Sequence, residues 1–499
     1  MLICAFIYMI VNSIVVVLVC NTEFISKIDK IFWNTKIILI LSGLCCAGFF
    51  FAFKFIHHLT IQKLLLIFLI IRVLLLYCFT VFEYGVEYID YSFYYQMPPH
   101  VLNGDIFTPF TGNWEAEAWR SFPPLFIWWY TYNYWIYGAY GVNTIFVQTI
   151  SRFVYLLLEV GIVYVMTQIF RENSGTEKGW NEKNFKIGLT LYIFALTPIV
   201  AILLYANIIA LPVLLSLLGF LYFFRSKKNP KYLYYAVVFF SLATLTEAIA
   251  VFWLLGIALV ELFRKNFRRL FLLILEMLAI LCLVTLPFLL NDAIGYFQHM
   301  LSYIYKSTAG NWDGAIWAIN SELFNLPSLI NSIPSAIAIS LLILYTYKNY
   351  KSEPSLDFFI VIVSIYLFFG PGFSAWHYLW IFSLICLNII NSVRKFLITN
   401  LFFWGYFVFY ALWFASGYLT YPGGLPPPMA YSDIFGNWMV EMGYFTIYPM
   451  IVQLAYQIGF IYLIFSYSKS KKLVLALFIP FIIYYIFNIC MPGNLLFGV

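Results

Sequence analysis

The sequence predicts an all-α integral membrane protein, and three observations carry this prediction. Hydrophobic residues make up 63% of the 499 residues and charged residues only 10%, whereas about 25% of a typical soluble protein is charged. The mean hydropathy is +0.88, and apolar runs near membrane-spanning length recur along the whole chain. These runs are continuous rather than alternating in polarity, which excludes a transmembrane β-barrel. We therefore expect a multispan bundle of roughly 13 to 15 transmembrane helices, with further helices along its outer face.

The apolar runs divide the chain into three regions. We expect an N-terminal transmembrane hairpin over 1–62, a transmembrane core over 63–395 and C-terminal spans over 396–499. Several runs are short enough to be half-helices. The predicted spans lie near residues 4–20, 37–54, 63–82, 144–169, 187–205, 208–225, 232–247, 249–262, 269–290, 332–347, 356–371, 376–392, 401–418, 446–467 and 473–490.

Basic clusters at the ends of the runs orient the chain. Lys and Arg accumulate on the cytoplasmic side of membrane proteins, so we place RSKKNPK (225–231), FRKNFRR (263–269), Arg394–Lys395 and SKSKK (468–472) there. In this orientation 21 of the 28 Lys and Arg residues are cytoplasmic, and 13 of the 22 Asp and Glu residues are outside. Because the basic clusters lie at span ends, they indicate topology and not nucleic-acid binding.

Three long outer loops follow from this topology, over 82–143, 291–331 and 419–445. The first carries six acidic residues against one arginine. Within it, segment 123–141 is long enough to cross the membrane but holds five Tyr and three Trp, a composition typical of the headgroup region. We predict that this segment lies along the outer surface as an interfacial helix, which leaves the carboxylates of the loop outside.

The stretch EYIDYSFYYQ (87–96) places carboxylates directly after a span. Glu83, Glu87 or Asp90 could act as a general base that takes the proton of an acceptor hydroxyl, while the neighbouring aromatic rings stack on a sugar. The same residues could instead solvate the entrance of a loop. Spacing alone leaves both interpretations open.

Carboxylates inside the spans support a transporter as the alternative. Glu159, Glu247 and Glu276 lie within apolar runs, where ionisable residues usually mark ion or proton pathways. Arg152 precedes Glu159 by two helical turns, so its side chain could face Glu159 or point to a lipid phosphate. Glu247 lies where one apolar run breaks into the next, a position that could face a cavity. No inverted repeat, which many transporters contain, is visible in the sequence.

The order of several motifs resembles the GT-C superfamily of polyprenol-dependent glycosyltransferases over residues 62–395. EYIDYSFYYQ, HVLNGDIFTPF and SFPPLF resemble the family's acidic first outer loop, its Gly-containing turn and the entry to an interfacial helix. SRFVYLLLEVGIVYVMTQIF is similar to the next span of mannosyltransferases that use polyprenol-phosphate-mannose, which usually carry Asp where Glu159 stands. LTPIVAILLYANIIALPVLLSLLGFLYFFRSKK resembles the following span pair, and GPGFSAWHYLW (370–380) resembles the S-W-x-H-H segment of the prokaryotic α-mannosyltransferases.

The chain departs from the family pattern at three places. The outer turn at Asn207 lacks its acid, Glu247 stands where relatives often carry lysine, and Tyr378 replaces the second histidine of the late motif.

The resemblance implies an inverting hexosyltransferase, with mannose as the expected sugar. Asp90 becomes the general base, unless Glu87 takes that role, and His377 stabilises or protonates the leaving phosphate. Arg120 and Lys306 are the candidates for contact with the donor phosphate. The remaining candidate contacts to donor and substrate are Tyr91, Asp105 and Trp376, with Glu87 supporting Asp90.

The resemblance also implies the partners and the location. The expected partners are a polyprenyl-phosphate-linked sugar, a lipid-linked or glycan acceptor and membrane lipids, with no nucleic acid. We expect a monomer that needs no metal and no cofactor. The expected location is the plasma membrane of a prokaryote, with an extracytoplasmic active site, or the endoplasmic reticulum if the organism is eukaryotic.

Overall fold

The structure is a computed structural model, and all regular structure in the residues it describes is helical. The described residues are 43–45, 47–81, 124–129, 145–174, 180–204, 208–306, 333–352, 354–369, 378–387, 447–468 and 470–479.

The helices that position the site follow one another along the chain. They are α1 (Ile61–Val81), α2 (Ile145–Asn173), α3 (Glu182–Ile193), α4 (Leu196–Pro198) with its π-helical continuation Ile199–Leu204, α5 (Ala210–Arg225), α6 (Tyr232–Thr246), α7 (Val251–Phe263), α8 (Phe267–Lys306), α9 (Ile333–Asn349), α10 (Leu356–Phe369), α11 (Tyr378–Leu387) and α12 (Ile447–Ser468). A 3₁₀ turn over Ala248–Ala250 joins α6 to α7.

Three of these helices are long and apolar enough to cross a membrane, over Ile61–Thr80, Thr149–Asn173 and Phe267–Leu290. A fourth span arises if α3 and α4 with its continuation, which meet at a bend of 44°, are one broken span. The described residues are thus helical and contain three or four candidate spans, which agrees with the predicted helical membrane protein. The full bundle of 13 to 15 spans stays a prediction.

The chain divides into two compact units. The first contains residues 41–304 and 379–391, and therefore α1 to α7, most of α8 and most of α11. The second contains α9, α10 and α12. In the second unit α10 packs on both α9 and α12, and the rings of Tyr345 and Phe358 stack at the α9–α10 contact, 5.7 Å apart.

Side-chain contacts fix the directions of α1, α2 and α5 in the first unit. Thr80 approaches Arg152 and Arg72 binds Glu159, so α1 and α2 are antiparallel. Ion pairs join Glu172, at the end of α2, to Arg225 at 3.7 Å and to Lys228 at 2.6 Å. Helices α2 and α5 are therefore parallel, and their ends lie together.

Helices α5, α6 and α7 are short and pack through aromatic rings. They contain 16, 15 and 13 residues, and α5 is therefore about 24 Å long, less than the hydrocarbon core of a bilayer. The ring of Phe220 on α5 contacts Phe240 on α6 and Trp253 on α7, with centroids 5.0 and 5.1 Å apart. The chain thus turns back on itself between α6 and α7.

Helix α8 is longer than the sequence predicts. The predicted span ends at residue 290 and an outer loop is expected from 291, but the helix continues to Lys306. Pro287 lies inside this helix and lacks the N–H that would pair with the carbonyl of residue 283. The helix nevertheless continues past this position to Lys306.

Candidate functional site

Almost all of the predicted site residues fall outside the described residues. This applies to Asp90, His377, Glu87, Arg120, Trp376, Asp105 and Tyr91. Lys306 is described only in its backbone, as the last residue of α8. Their roles therefore stay predictions, and the structure contributes the framework from which these residues extend.

The two helices that flank the acidic loop end beside each other. Thr80, in the last turn of α1, is close to Arg152, in the second turn of α2, with 3.5 Å between Thr80 Oγ1 and Arg152 Nη1. Because the helices are antiparallel, the chain leaves α1 and enters α2 at the same end of the unit. The intervening segment 82–144 therefore starts and finishes at one end, which we call the loop end of the first unit.

A short helix over residues 124–129 packs at the loop end. The indole Nε1 of Trp129 donates a hydrogen bond to the hydroxyl of Tyr155 on α2 at 3.2 Å. The ring of Trp128 lies 5.6 Å from that of Phe288 on α8. Pro124 is the first residue of this helix, where proline is well tolerated because no partner exists for its missing N–H.

The late motif leads into α11, whose first turns pack in the core of the first unit. The ring of Trp380 lies 5.4 Å from that of Trp253 on α7, and Phe382 stacks on Tyr192 of α3 at 5.9 Å. Both indoles are fully buried, and neither Nε1 has a hydrogen-bond partner within the described part of the chain.

Inside the membrane, Glu159 pairs with Arg72 and not with Arg152. Arg72 Nε lies 2.9 Å from each Glu159 oxygen, and Nη2 lies 2.9 Å from Oε1. Both side chains are 0% exposed. The possibility that Arg152 faces Glu159 is wrong, because Arg152 is directed toward the loop end. Sequence reasoning gave Arg72 no role, although its charge inside an apolar span was a signal.

The Arg72–Glu159 pair lies beside the break between α3 and α4. Pro198 cannot donate to the carbonyl of residue 194, so the helix is interrupted there. The interruption frees the carbonyl of Ile193, and Arg72 Nη1 donates a hydrogen bond to it at 2.9 Å. In a bilayer a broken helix is tolerated where neighbouring groups satisfy the freed backbone. Arg72 therefore stabilises the break, and Glu159 neutralises Arg72.

Glu247 ends α6 in extended conformation, with φ −154° and ψ 128°. Its side chain is half-buried. The ring of Phe240, two turns earlier, lies against Gly219 of α5. Glu247 thus lies at the break between α6 and α7, where the apolar runs are interrupted, and the expectation that this position could face a cavity stays a prediction.

Two further features concern a carboxylate in α8 and the side chains that could bind a metal. Glu276 lies within the α8 span, and its Oε2 has no hydrogen-bond partner among the described residues. The described residues contain no group of three His, Cys, Asp or Glu side chains that could hold a metal ion.

Comparisons with known proteins give no relative. No protein-family model matches the chain, and neither a curated protein nor a solved structure is significantly similar to it.

Proposed function

We propose that the protein is a membrane glycosyltransferase that moves a hexose, with mannose as first candidate, from a polyprenyl phosphate to an acceptor hydroxyl. The acceptor is a lipid-linked or surface glycan, and the reaction takes place at the loop end. The proposal rests on one observation above the others. The acidic segment leaves α1 and returns to α2 at the same end of the first unit, where Arg152 approaches Thr80.

The location of this segment suits the proposed chemistry. A lipid-linked donor keeps its chain among the helices and presents its phosphate at the membrane surface, where segment 82–144 begins and ends. The short helix 124–129 supports the interfacial position predicted for segment 123–141, because it packs on α2 and α8 at that end. A base at the surface can take the acceptor proton and pass it to water.

The proposed reaction assigns a role to each predicted residue. Asp90 takes the proton of the acceptor hydroxyl, and the acceptor oxygen attacks the anomeric carbon of the donor sugar. The bond to the phosphate oxygen breaks, and His377 with Arg120 or Lys306 stabilises the polyprenyl phosphate that leaves. A general base contributes typically about 10²- to 10⁴-fold in rate.

The test is transfer from radiolabelled polyprenyl-phosphate-mannose to membrane lipid extract by purified protein. Asp90→Asn should lower the rate at least about 100-fold, with donor binding unchanged. Glu115→Gln is the matched control, since Glu115 lies in the same acidic segment and has no predicted role in the reaction. Loss in Glu87→Gln with activity intact in Asp90→Asn would move the base to Glu87. Absence of transfer from every polyprenyl-phosphate sugar tested would contradict the proposal.

A transporter or flippase for a lipid or sugar is the second candidate, and Glu247 is the observation that favours it. This carboxylate lies at a turn between two short helices, and transporters bind ions and substrates at discontinuous helices. The same structure weakens the role of Glu159, since Arg72 compensates its charge. Uptake or lipid translocation in proteoliposomes that is lost in Glu247→Gln and retained in Asp90→Asn would favour the transporter.

A further inference from the structure

We propose that Arg152 and Tyr155 of α2 are positioning residues that fix both flanks of the acidic loop. This inference rests on the proposed function for its catalytic consequence. Its structural content, the joining of Thr80 and Trp129 to α2, is independent of the reaction.

Arg152 fixes the start of the loop. Its Nη1 lies 3.5 Å from the hydroxyl of Thr80, and its Nε donates a hydrogen bond to the carbonyl of Leu203 at 3.2 Å. The guanidinium is 0% exposed, so water does not compete for these contacts. Thr80 lies in the last turn of α1 before the loop, and Leu203 lies at the end of the broken span. The side chain of Arg152 therefore joins both elements to α2.

Tyr155 fixes the far flank. Its hydroxyl accepts the hydrogen bond of Trp129 in the short helix 124–129, and the two rings are in contact with centroids 6.2 Å apart. Tyr155 is 1% exposed. The contact combines ring packing with a defined hydrogen-bond direction, which sets both the distance and the orientation of the short helix.

Both anchors lie on one stripe of one helix. Residues separated by three positions are neighbours on a helix surface, so Arg152 and Tyr155 form a single support. Thr80 and Trp129, the described residues on either side of segment 82–123, thus both contact adjacent turns of α2. A base must be placed within hydrogen-bond reach of its substrate, and displacement by about 1 Å can cost 100-fold in rate. Loosening either anchor should therefore lower kcat and leave the donor KM nearly unchanged.

The experiment compares Thr80→Val, Tyr155→Phe and Arg152→Lys with two matched controls in full-length protein. Thr167→Val removes a buried hydroxyl of α2 that binds only its own helix, at Val163. Tyr192→Phe removes a buried phenol that has no hydrogen-bond partner among the described residues. Two quantities are measured: kcat and KM for transfer from polyprenyl-phosphate-mannose, and the rate of tryptic cleavage after Arg120 in proteoliposomes. Only protein molecules inserted with the loop end on the outside of the vesicle contribute to the measured cleavage rate.

Each anchor variant should lower kcat about 5- to 50-fold, within the range that small displacements cause, with the donor KM within 2-fold. Cleavage after Arg120 should be at least 3-fold faster than in the wild type, and the controls should match the wild type in both quantities. Arg152→Lys keeps the positive charge but should still show the lower kcat and the faster cleavage, because lysine lacks the planar guanidinium group. Unchanged kcat and unchanged cleavage in Thr80→Val and Tyr155→Phe would overturn the inference. If the wild type transfers no sugar, the proposed function fails, and the cleavage rates alone decide on the anchors.

Discussion

The first unit holds two kinds of helix packing, and they differ in where polar groups are used. Helices α1, α2, α3 and α4 enclose a buried ion pair and two arginines that bind backbone carbonyls. Helices α5, α6 and α7 instead meet through aromatic rings, with Phe220, Phe240 and Trp253 in mutual contact. The fully buried charges lie beside the broken span, and aromatic packing joins the helices that turn back. Glu261, near the end of α7, is also buried, but it pairs with the half-buried Arg269.

This difference indicates that the buried charges have a structural role. The carbonyl of Ile193 loses its helical partner at the break, and a neighbouring donor, here Arg72 Nη1, satisfies it. Helix α6 ends in a turn whose residues close local hydrogen bonds, as when the N–H of Glu247 binds the carbonyl of Ala243 at 2.8 Å. Arg72 and Glu159 therefore belong to the architecture of the broken span.

The largest expected effect comes from breaking the ion pair on one side. Arg72→Met leaves Glu159 as an unpaired buried charge and removes the donor to Ile193, so we expect a loss of about 3–5 kcal/mol in the free energy of unfolding. The measurement is unfolding of the purified protein by denaturing detergent. The double variant Arg72→Met/Glu159→Met should recover part of the loss, leaving about 1–3 kcal/mol for the unpaired carbonyl. A double variant as unstable as Arg72→Met would contradict the account.

A smaller effect tests the aromatic packing. A Cβ at position 219 would lie 2.7 Å from the ring of Phe240, which is fully buried and cannot move away. Gly219→Ala should destabilise the protein by about 1–3 kcal/mol through overpacking. Gly43→Ala is the matched control, because a Cβ there meets nothing within 4 Å. Equal unfolding curves for Gly219→Ala and wild type would show that the α5–α6 contact has room for an added methyl group.

The smallest effect concerns the ion pairs at the opposite end from the loop. Glu172, whose side chain is 19% exposed, contacts Arg225 and Lys228, whose side chains are 32% and 69% exposed. Glu172→Gln should cost only about 0.2–1 kcal/mol, and less in high salt, since exposed ion pairs are weak and screened. Thermal melting in low and in high salt measures it. A loss that is large or independent of salt would indicate that Glu172 is more deeply buried than its contacts imply.

Within the described part of the chain, the sequence predicts the positions of helices better than the contacts between them. Apolar runs located α1 and α5 within a few residues, because burial in lipid dictates composition locally. The Arg72–Glu159 pair joins residues separated by 87 positions, and no local pattern sets the register of two spans joined by a long loop. Arg152 looked the better partner only because it is near in sequence. The end of α8 was missed because aromatic and polar residues past 290 are compatible with both loop and helix.

The location of the functional carboxylate is tested most directly by comparing two variants in one assay, the transfer of mannose from polyprenyl-phosphate-mannose. Asp90→Asn removes the proposed base at the loop end, and Arg72→Met/Glu159→Met removes the intramembrane charges together. We expect Asp90→Asn to lose transfer, whereas the double variant, once folded, should keep most of it. Transfer that survives in Asp90→Asn and disappears in a folded double variant would place the functional carboxylate inside the membrane and contradict the account.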